Sequence, residues 1–266
     1  KMKINEIQVK SILCKSKIPG VDYAINPYVG CSHDCKYCYA TYMLKYANHE
    51  NDEWGSFVDV RINSVDTLPK NIEKLSGKTI SFGTATDPYQ PIERKYRITR
   101  KLLEKLKDSG ANIGITTKSH FVLDDLDLLK SIKNLKVAIS IGILDEDIRR
   151  QLEPGTCSVN DKIECLKKLH ENGIYTVVFI APFFPIITDY EKIIELTKDF
   201  VDEYWFEGIT IYDRIKIKFI EFLKNNKKFV KPYNDFYKDK YKNWKKVKFE
   251  IQGFCDRNCV KYNIFW

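Results

Sequence analysis

The sequence predicts an α/β fold with a mainly parallel sheet. Segments with the composition of strands alternate with amphipathic segments along much of the chain, which is typical of βα units. The strand segments are nearly all apolar, as over residues 177–180, which indicates strands covered on both faces. About six such repeats fit either an open doubly wound sheet or an incomplete barrel. The 266 residues are enough for one such domain or for two small ones.

The first elements surround a loop rich in cysteine. A Pro-Gly break precedes a short apolar strand over 23–25, which runs into that loop. After the loop, tyrosine and methionine side chains at helical spacing predict a helix over 39–46. Residues 57–62 alternate like a strand, and residues 65–75 are predicted to form a helix.

The alternation of strands and helices continues after residue 77. Residues 78–82 are a predicted strand that ends in a polar loop of small residues over 83–91. Thr99 is predicted to cap the following helix and Gly110 to end it. Further strands are then predicted over 112–116, 136–141, 175–181 and 205–211. The helices predicted between them cover 124–131, 159–171 and 189–200.

Composition limits the compartment and the partners. No apolar run approaches the length of a membrane span, and the first residues lack a signal-peptide core, so we expect a soluble, cytoplasmic protein. Eight cysteines in such a chain favour reduced thiols and metal ligation over a disulfide framework. The net charge of +8 comes mainly from lysine, whereas specific nucleic-acid readers use arginine for bidentate contacts. Charge alone therefore indicates no partner.

Cys31, Cys35 and Cys38 place three thiols on one short loop after the first predicted strand. Three soft ligands on one segment can converge on a single metal centre, whereas disulfides would leave one of them without a local partner. A structural zinc or an electron-transfer cluster usually recruits four protein ligands, so three leave one metal position open. The alternative is a zinc knuckle completed by His33 or by a remote cysteine.

The motif Cys31-x3-Cys35-x2-Cys38, with Tyr37 before its last cysteine, resembles the signature of the radical S-adenosylmethionine (SAM) enzymes. The resemblance implies a 4Fe-4S cluster on the three cysteines, with SAM chelating the fourth iron. It also implies that an electron from the cluster cleaves SAM to methionine and a 5′-deoxyadenosyl radical, which abstracts hydrogen from a substrate. An electron donor such as flavodoxin or ferredoxin would then be a partner.

The segments 83–93, 140–144, 152–154 and 173–174 resemble the spore photoproduct lyase-like branch of these enzymes. That resemblance implies a partial (β/α)6 TIM-type barrel over residues 21–212. It also implies SAM-binding roles for six residues: Tyr37, Thr84, Thr86, Lys118, Ser140 and Lys162. Spore photoproduct lyases carry a hydrogen-donating cysteine where this chain has Thr84, so we do not expect the lyase activity itself.

The ends of the chain lie outside this pattern. Residues 1–20 are expected to form an N-terminal extension, and residues 213–266 a basic, aromatic C-terminal extension that caps the barrel. The C-terminal extension is predicted to contain two helices and a strand over 247–251. Its interleaved lysines and aromatic side chains alternatively form a surface for an acidic or nucleic-acid partner.

Two further cysteines, Cys255 and Cys259, lie near the end of the chain. They cannot complete a metal site alone, but an auxiliary cluster or zinc site could add cysteines from elsewhere in the chain. The sequence offers three such partners: Cys14, Cys157 and Cys165. Alternatively, Cys255 donates hydrogen to a substrate radical, or both thiols only pack.

The resulting hypothesis is a radical SAM enzyme of lyase or transferase type that acts on a peptide or protein, because some members of the lyase-like branch modify peptides. The alternatives are a radical SAM enzyme that modifies or repairs nucleic acid and, from a different class, a non-catalytic zinc or iron–sulfur module. Substrate contacts are expected from the barrel mouth and the C-terminal extension, and the suggested residues are Tyr89, Glu93, Arg214 and Cys255.

Overall fold

The computed structural model describes residues 2–266, without the side chains of residues 213 and 214. Its strands, in chain order, are β1 Lys3–Ile7, β2 Cys14–Lys15, β3 Tyr23–Ile25, β4 Tyr28–Val29, β5 Phe57–Arg61, β6 Thr79–Phe82, β7 Asn112–Thr117, β8 Leu135–Ser140, β9 Tyr175–Phe183, β10 Glu203–Gly208 and β11 Tyr262–Ile264. Its α-helices are α1 Met43–Tyr46, α2 Glu93–Tyr96, α3 Ile98–Leu106, α4 Leu126–Leu129, α5 Glu146–Leu152, α6 Val159–Glu171, α7 Tyr190–Thr197, α8 Asp213–Asn225, α9 Val230–Lys238 and α10 Lys240–Arg257. Short 3-10 helices cover Tyr39–Tyr42, Val65–Thr67, Ile72–Leu75, His120–Asp125 and Lys227–Phe229.

The main sheet has eight strands in the order β11-β10-β9-β8-β7-β6-β3-β2. All neighbours in it are parallel except β2 and β3, which are antiparallel. The predicted parallel α/β fold is thereby confirmed, and the architecture is that of a partial TIM-type barrel. The predicted strand over 57–62 exists as β5 but pairs with β1 and β4 in a separate three-stranded sheet.

The two faces of the main sheet differ in character. On the outer face, Ile139 aligns with Val178, and both side chains are buried in the main apolar core. On the inner face, Ser140 aligns with Phe179, which in turn aligns with Trp205. The Phe179 and Trp205 rings are half-buried and meet edge to face with centroids 5.9 Å apart. The inner face is therefore aromatic and polar, as expected of a barrel interior that receives a ligand.

Two predicted helical features in the first half are wrong. Residues 65–75 form two separate 3-10 helices because Leu68, which precedes Pro69, takes an extended backbone with ψ 151°. Thr99 does not cap α3, which begins one residue earlier after a left-handed Arg97. The buried Glu93 carboxylate accepts hydrogen bonds from the Thr99 and Arg100 backbone N–H groups instead. By contrast, α6 has the predicted bounds and begins with a capping box.

The C-terminal extension also differs from its prediction. Residues 247–251 lie inside α10 and not in a strand, because Trp244, Val247, Ile251 and Cys255 recur at helical spacing and pack on the main core. The segment contains α8, α9 and α10, and its strand is β11, which extends the main sheet at the β10 edge. The division of the chain at residues 20 and 212 stays a prediction. Across the described residues, no helix combines the length and apolar character needed to cross a membrane.

Candidate active site

The cysteine loop joins β4 to the 3-10 helix Tyr39–Tyr42 at the carboxyl end of the parallel strands. Cys31 and Cys35 are buried, and Cys38 is partly buried. Burial raises the pKa of Cys35 and of Cys38 to about 12. These thiols therefore exchange their protons for a metal when they bind one. In the described part of the chain, no group of three His, Cys, Asp or Glu side chains is placed so that it could hold a metal ion. Convergence of the three thiols stays a prediction.

Thr86 and Gln90 hold the start of the cysteine loop. The Thr86 hydroxyl donates to the Gly30 carbonyl at 2.6 Å, and the Gln90 amide donates to the Thr86 hydroxyl at 3.0 Å. The Ser32 backbone N–H donates to Gln90 Oε1 at 2.9 Å. The structure thus places Thr86, a predicted SAM contact, as a brace of the loop. Gln90 was not predicted, although its position in the polar loop that follows the predicted strand over 78–82 could have indicated it.

His33 and Asp87 tie the same loop to the end of β7. His33, the histidine considered as a ligand in the zinc alternative, is only 3% exposed. Its Nδ1 lies 3.3 Å from Asp87 Oδ2. Asp87 also accepts hydrogen bonds from the Thr117 hydroxyl and the Lys118 backbone N–H. Burial would raise the pKa of Asp87, but these donors and the His33 charge hold it below its usual value. Asp87 is therefore a charged anchor for the loop.

Lys118 and Ser140, two predicted SAM contacts, meet where β7 and β8 end. Lys118 Nζ donates to Ser140 Oγ at 2.9 Å and to the Ala181 carbonyl at 3.3 Å. The Ser140 hydroxyl donates to the same carbonyl at 2.9 Å. Lys118 Nζ also lies 5.8 Å from the centre of the Tyr37 ring. The structure therefore brings these three predicted residues together beside the cysteine loop.

Lys162, the sixth predicted SAM contact, lies in a different environment. It is 1% exposed, and its Nζ lies 2.9 Å from Glu153 Oε2. The Tyr37 hydroxyl donates to the other oxygen of the same carboxylate. Burial would raise the pKa of Glu153, but the Lys162 and Lys118 charges lower it to about 2. The structure thus directs the Lys162 ammonium at Glu153, where it supports Tyr37, and does not place it as a direct SAM contact.

Thr84 lies opposite the cysteine loop at the end of β6. Its hydroxyl accepts a hydrogen bond from Asn26 Nδ2 at 2.9 Å, and its carbonyl accepts one from the Tyr39 hydroxyl. Asn26 Oδ1 in turn accepts from the Ala85 backbone N–H at 2.8 Å. Thr84 is half-buried and stands next to the aromatic side chain that follows the last loop cysteine.

The proposed auxiliary metal site is not assembled within residues 2–266. Cys255 is fully buried on α10 in the main core, and Cys259 is exposed beyond the end of that helix. Among the suggested partners, Cys14 is exposed on β2, and Cys165 is buried on α6. Cys157 Sγ donates to the Lys118 carbonyl at 3.2 Å. Burial of Cys255 in the core also argues against its role as a hydrogen donor.

Two of the four suggested substrate contacts, Tyr89 and Glu93, do not line the barrel mouth in the described structure. Tyr89 is buried and donates to Asp125 at 3.0 Å, and Glu93 is buried against Tyr28. The side chain of Arg214 lies outside the described part of the chain. Glu207, which was not predicted, is the penultimate residue of β10 and comes two residues after the inward-facing Trp205. Its side chain is exposed, but partial desolvation raises the pKa of Glu207, while the nearby Lys118 charge acts in the opposite direction.

Comparison with known proteins gives one family. The profile described as Radical SAM superfamily matches residues 25–200. The chain is 38% identical over 226 residues to an uncharacterized protein of Methanocaldococcus jannaschii, which covers 85% of this chain and 84% of that one. It is 25% identical to a Pseudomonas phage M6 protein named radical SAM Nalpha-GlyT isomerase, across 63% of this chain and 34% of the phage protein.

Solved structures of similar fold include spore photoproduct lyases. One, complexed with dinucleoside spore photoproduct, superposes with a TM-score of 0.61 at 18% sequence identity. Another, a variant with bound AdoMet and the same dinucleoside, gives a TM-score of 0.60 at 17% identity. Each match covers 81% of this chain and 64% of the lyase, so this chain spans less than two thirds of the lyase length. At this identity the likeness shows the fold alone.

Proposed function

The chain belongs to the radical SAM superfamily, and on that premise we propose that it is an enzyme that cleaves SAM reductively, of the lyase or transferase type. The observation that carries the proposal is the braced three-cysteine loop beside the Lys118 and Ser140 pair at the carboxyl end of the barrel. When bound, a 4Fe-4S cluster there supplies the electron that splits SAM into methionine and a 5′-deoxyadenosyl radical, which takes hydrogen from the substrate.

The residues around the loop fit such a cluster. Three cysteines are the thiolate donor set that iron–sulfur clusters use, and three leave one iron for a ligand that is not protein. Ser32 Oγ and Trp54 Nε1 are buried near the loop and have no hydrogen-bond partner among the described residues. Hydroxyl and indole donors without protein partners suit the sulfur atoms of a cluster, which accept hydrogen bonds.

The side chains that meet beside the loop can hold the parts of SAM. Lys118 offers a cation for the carboxylate, and the Ser140 hydroxyl suits a ribose oxygen. Tyr37 is fixed through Glu153 and presents its ring below Lys118. Thr84 supplies polar oxygen for the SAM amino group, while Thr86 holds the loop at Gly30. These residues orient SAM and move no proton.

We expect SAM to change the electron paramagnetic resonance (EPR) spectrum of the reduced protein, because SAM occupies the open iron. In Lys118→Met, the SAM concentration needed for half of that change should rise at least about tenfold, since a hydrogen bond to a charged group contributes about 1.5–3 kcal/mol. An anaerobic SAM titration followed by EPR measures both effects.

The matched control is Lys130→Met, which removes an exposed lysine at the end of α4. It should titrate like the wild type. A wild-type spectrum that SAM leaves unchanged contradicts the proposed function. A Lys118→Met titration equal to wild type contradicts only the role of Lys118.

For the substrate, we propose a peptide or protein. Glu207 is the penultimate residue of β10, the strand that carries the inward-facing Trp205, and the described structure gives its exposed carboxylate no hydrogen bond or ion pair. A carboxylate at that place attracts ammonium and guanidinium groups and repels a phosphodiester. This electrostatic preference supports the peptide over the nucleic acid.

Nucleic acid is the second candidate, favoured by the C-terminal extension. Its lysines surround exposed aromatic side chains, Tyr241 and Phe249, which could stack on bases. The lyases of similar fold were also solved with a dinucleoside photoproduct. Fluorescence anisotropy with single- and double-stranded DNA and RNA at low salt decides between the candidates. Binding that weakens as salt rises supports the nucleic acid, and no binding at low salt removes it.

A further inference from the structure

The segment between α1 and β5, residues 47–56, packs against the cysteine loop. Gly55 has φ +94°, and a Cβ atom there would approach Asp34 Cβ to 2.5 Å, so only glycine allows this contact. Asp52 fixes the segment through His49 Nδ1 at 2.7 Å and Lys3 Nζ at 2.5 Å. The segment, which we call the cover loop, is therefore held in place over the cysteines.

Trp54 is the residue of the cover loop that packs beside the cysteines. It is 4% exposed and belongs to an apolar cluster with Cys31 and Phe57, against which Cys38 packs. Its ring meets the Phe57 ring edge to face, with centroids 6.2 Å apart. The indole N–H is buried and has no hydrogen-bond partner among the described residues.

A buried donor without a partner needs an explanation, because burial removes its hydrogen bonds to water and nothing replaces them. The apolar cluster around Trp54 offers the sulfur atoms of Cys31 and Cys38 as acceptors. Cys31 belongs to this cluster and Cys38 packs against it, and Cys38 is the thiol on which the Trp54 side chain acts, opposing the rise in pKa that burial causes. A thiol sulfur is a weak acceptor, but an iron-bound thiolate accepts strongly.

We infer that the Trp54 indole N–H donates a hydrogen bond to the Cys38 sulfur when that sulfur binds the cluster, and that this bond raises the reduction potential of the cluster. The inference rests on the proposed function. The bond stabilises negative charge on the sulfur, and the reduced cluster carries one more negative charge than the oxidised cluster. Trp54 thus makes the one-electron reduction of the cluster, which SAM cleavage requires, more favourable.

The test is the midpoint potential of the cluster in Trp54→Phe, measured by EPR-monitored redox titration without SAM. Phenylalanine keeps an aromatic ring in the apolar cluster but removes the N–H. At a fixed potential we expect the ratio of reduced to oxidised cluster to fall about tenfold, which is a shift of about 59 mV to more negative values for one electron.

The control is Trp266→Phe. The Trp266 indole nitrogen is also buried without a hydrogen bond in the described structure, but its ring packs on Phe183 and Trp244. This variant should keep the wild-type potential. An unchanged potential in Trp54→Phe with full iron content overturns the inference, whereas a shift in Trp54→Phe alone supports it.

If the Trp54→Phe protein loses its cluster, a second measurement, made on the wild type, still tests the inference. In wild type transferred to deuterium oxide, pulsed EPR should detect an exchangeable deuteron beside the reduced cluster. Specific labelling of the tryptophan indole nitrogens with ¹⁵N should show coupling from one of them. Absence of that coupling overturns the inference. A wild-type protein without any 4Fe-4S signal contradicts the proposed function, so the two failures are distinguishable.

Discussion

Replacing Cys35 with alanine should abolish iron–sulfur incorporation. Two of the three thiolates would remain, and the loss of one ligand should weaken metal binding by more than the roughly 10–100-fold that follows from losing an outer-shell partner. The wild type is expected to hold about four irons per chain, as one 4Fe-4S cluster requires. Iron and sulfide quantification after anaerobic reconstitution, together with the visible absorption spectrum, measures the effect.

Cys14→Ala is the matched control, because Cys14 is an exposed thiol on β2. It should retain the wild-type iron content. Four irons in Cys35→Ala would contradict the assignment of the loop. Clearly more than about four irons in the wild type would restore the auxiliary site at Cys255 and Cys259, which the described structure does not assemble.

Replacing Lys162 with methionine should destabilise the protein by about 3–5 kcal/mol. The change leaves the Glu153 carboxylate buried without its ion-pair partner, and among the described residues its remaining side-chain hydrogen bonds come from the hydroxyls of Tyr37 and Thr156. The free energy of unfolding in urea measures the loss. The double variant Lys162→Met/Glu153→Gln removes the unpaired charge, so it should recover much of the stability.

The same pair gives a pH dependence with a definite sign. Because the pKa of Glu153 is lowered to about 2 from 4.5, its contribution to stability is complete above about pH 4.5 and is lost as pH falls toward 2. In Lys162→Met the same carboxyl should have a raised pKa and become protonated more readily. The deficit relative to wild type should therefore be largest at neutral pH and shrink near pH 4. A deficit independent of pH would contradict the buried ion pair.

Much of the fold could be predicted because its signals are local. Continuous apolar runs such as residues 177–180 mark strands covered on both faces, and α6 carries its own capping box at Ser158 and Asp161. The wrong predictions arise where the next residue in sequence or a packing partner determines the backbone conformation. Pro69 forces Leu68 out of the helical region, and residues 247–251 form a helix because their apolar face packs on the main core.

The candidate site could be predicted to a similar extent. The three cysteines lie within eight residues, and Lys118 and Ser140 lie at or just after the ends of predicted strands, where parallel strands bring their site residues together. Gln90 and Trp54 were missed because their partners lie far along the chain or in another loop. The Lys162–Glu153 pair was missed because only the packing of α6 shows that the Lys162 side chain points at Glu153, and a contact of Lys162 with SAM stays a prediction.

The cysteine loop is held from several sides before any ligand binds. Thr86 and Gln90 fix residues 30–32, and Asp87 holds His33. The Leu152 carbonyl accepts from the Lys36 backbone N–H at 2.8 Å. Such bracing fixes the backbone of the loop and lowers the entropy cost of gathering the three thiols around a cluster.

The most direct measurement is the formation of 5′-deoxyadenosine by the reconstituted protein mixed with SAM and dithionite under anaerobic conditions, followed by liquid chromatography. The proposed function predicts 5′-deoxyadenosine and methionine in equal amounts, dependent on reductant and absent in Cys35→Ala. A protein that holds its cluster but forms no more 5′-deoxyadenosine than Cys35→Ala would be a non-catalytic iron–sulfur module, and the central claim would be wrong.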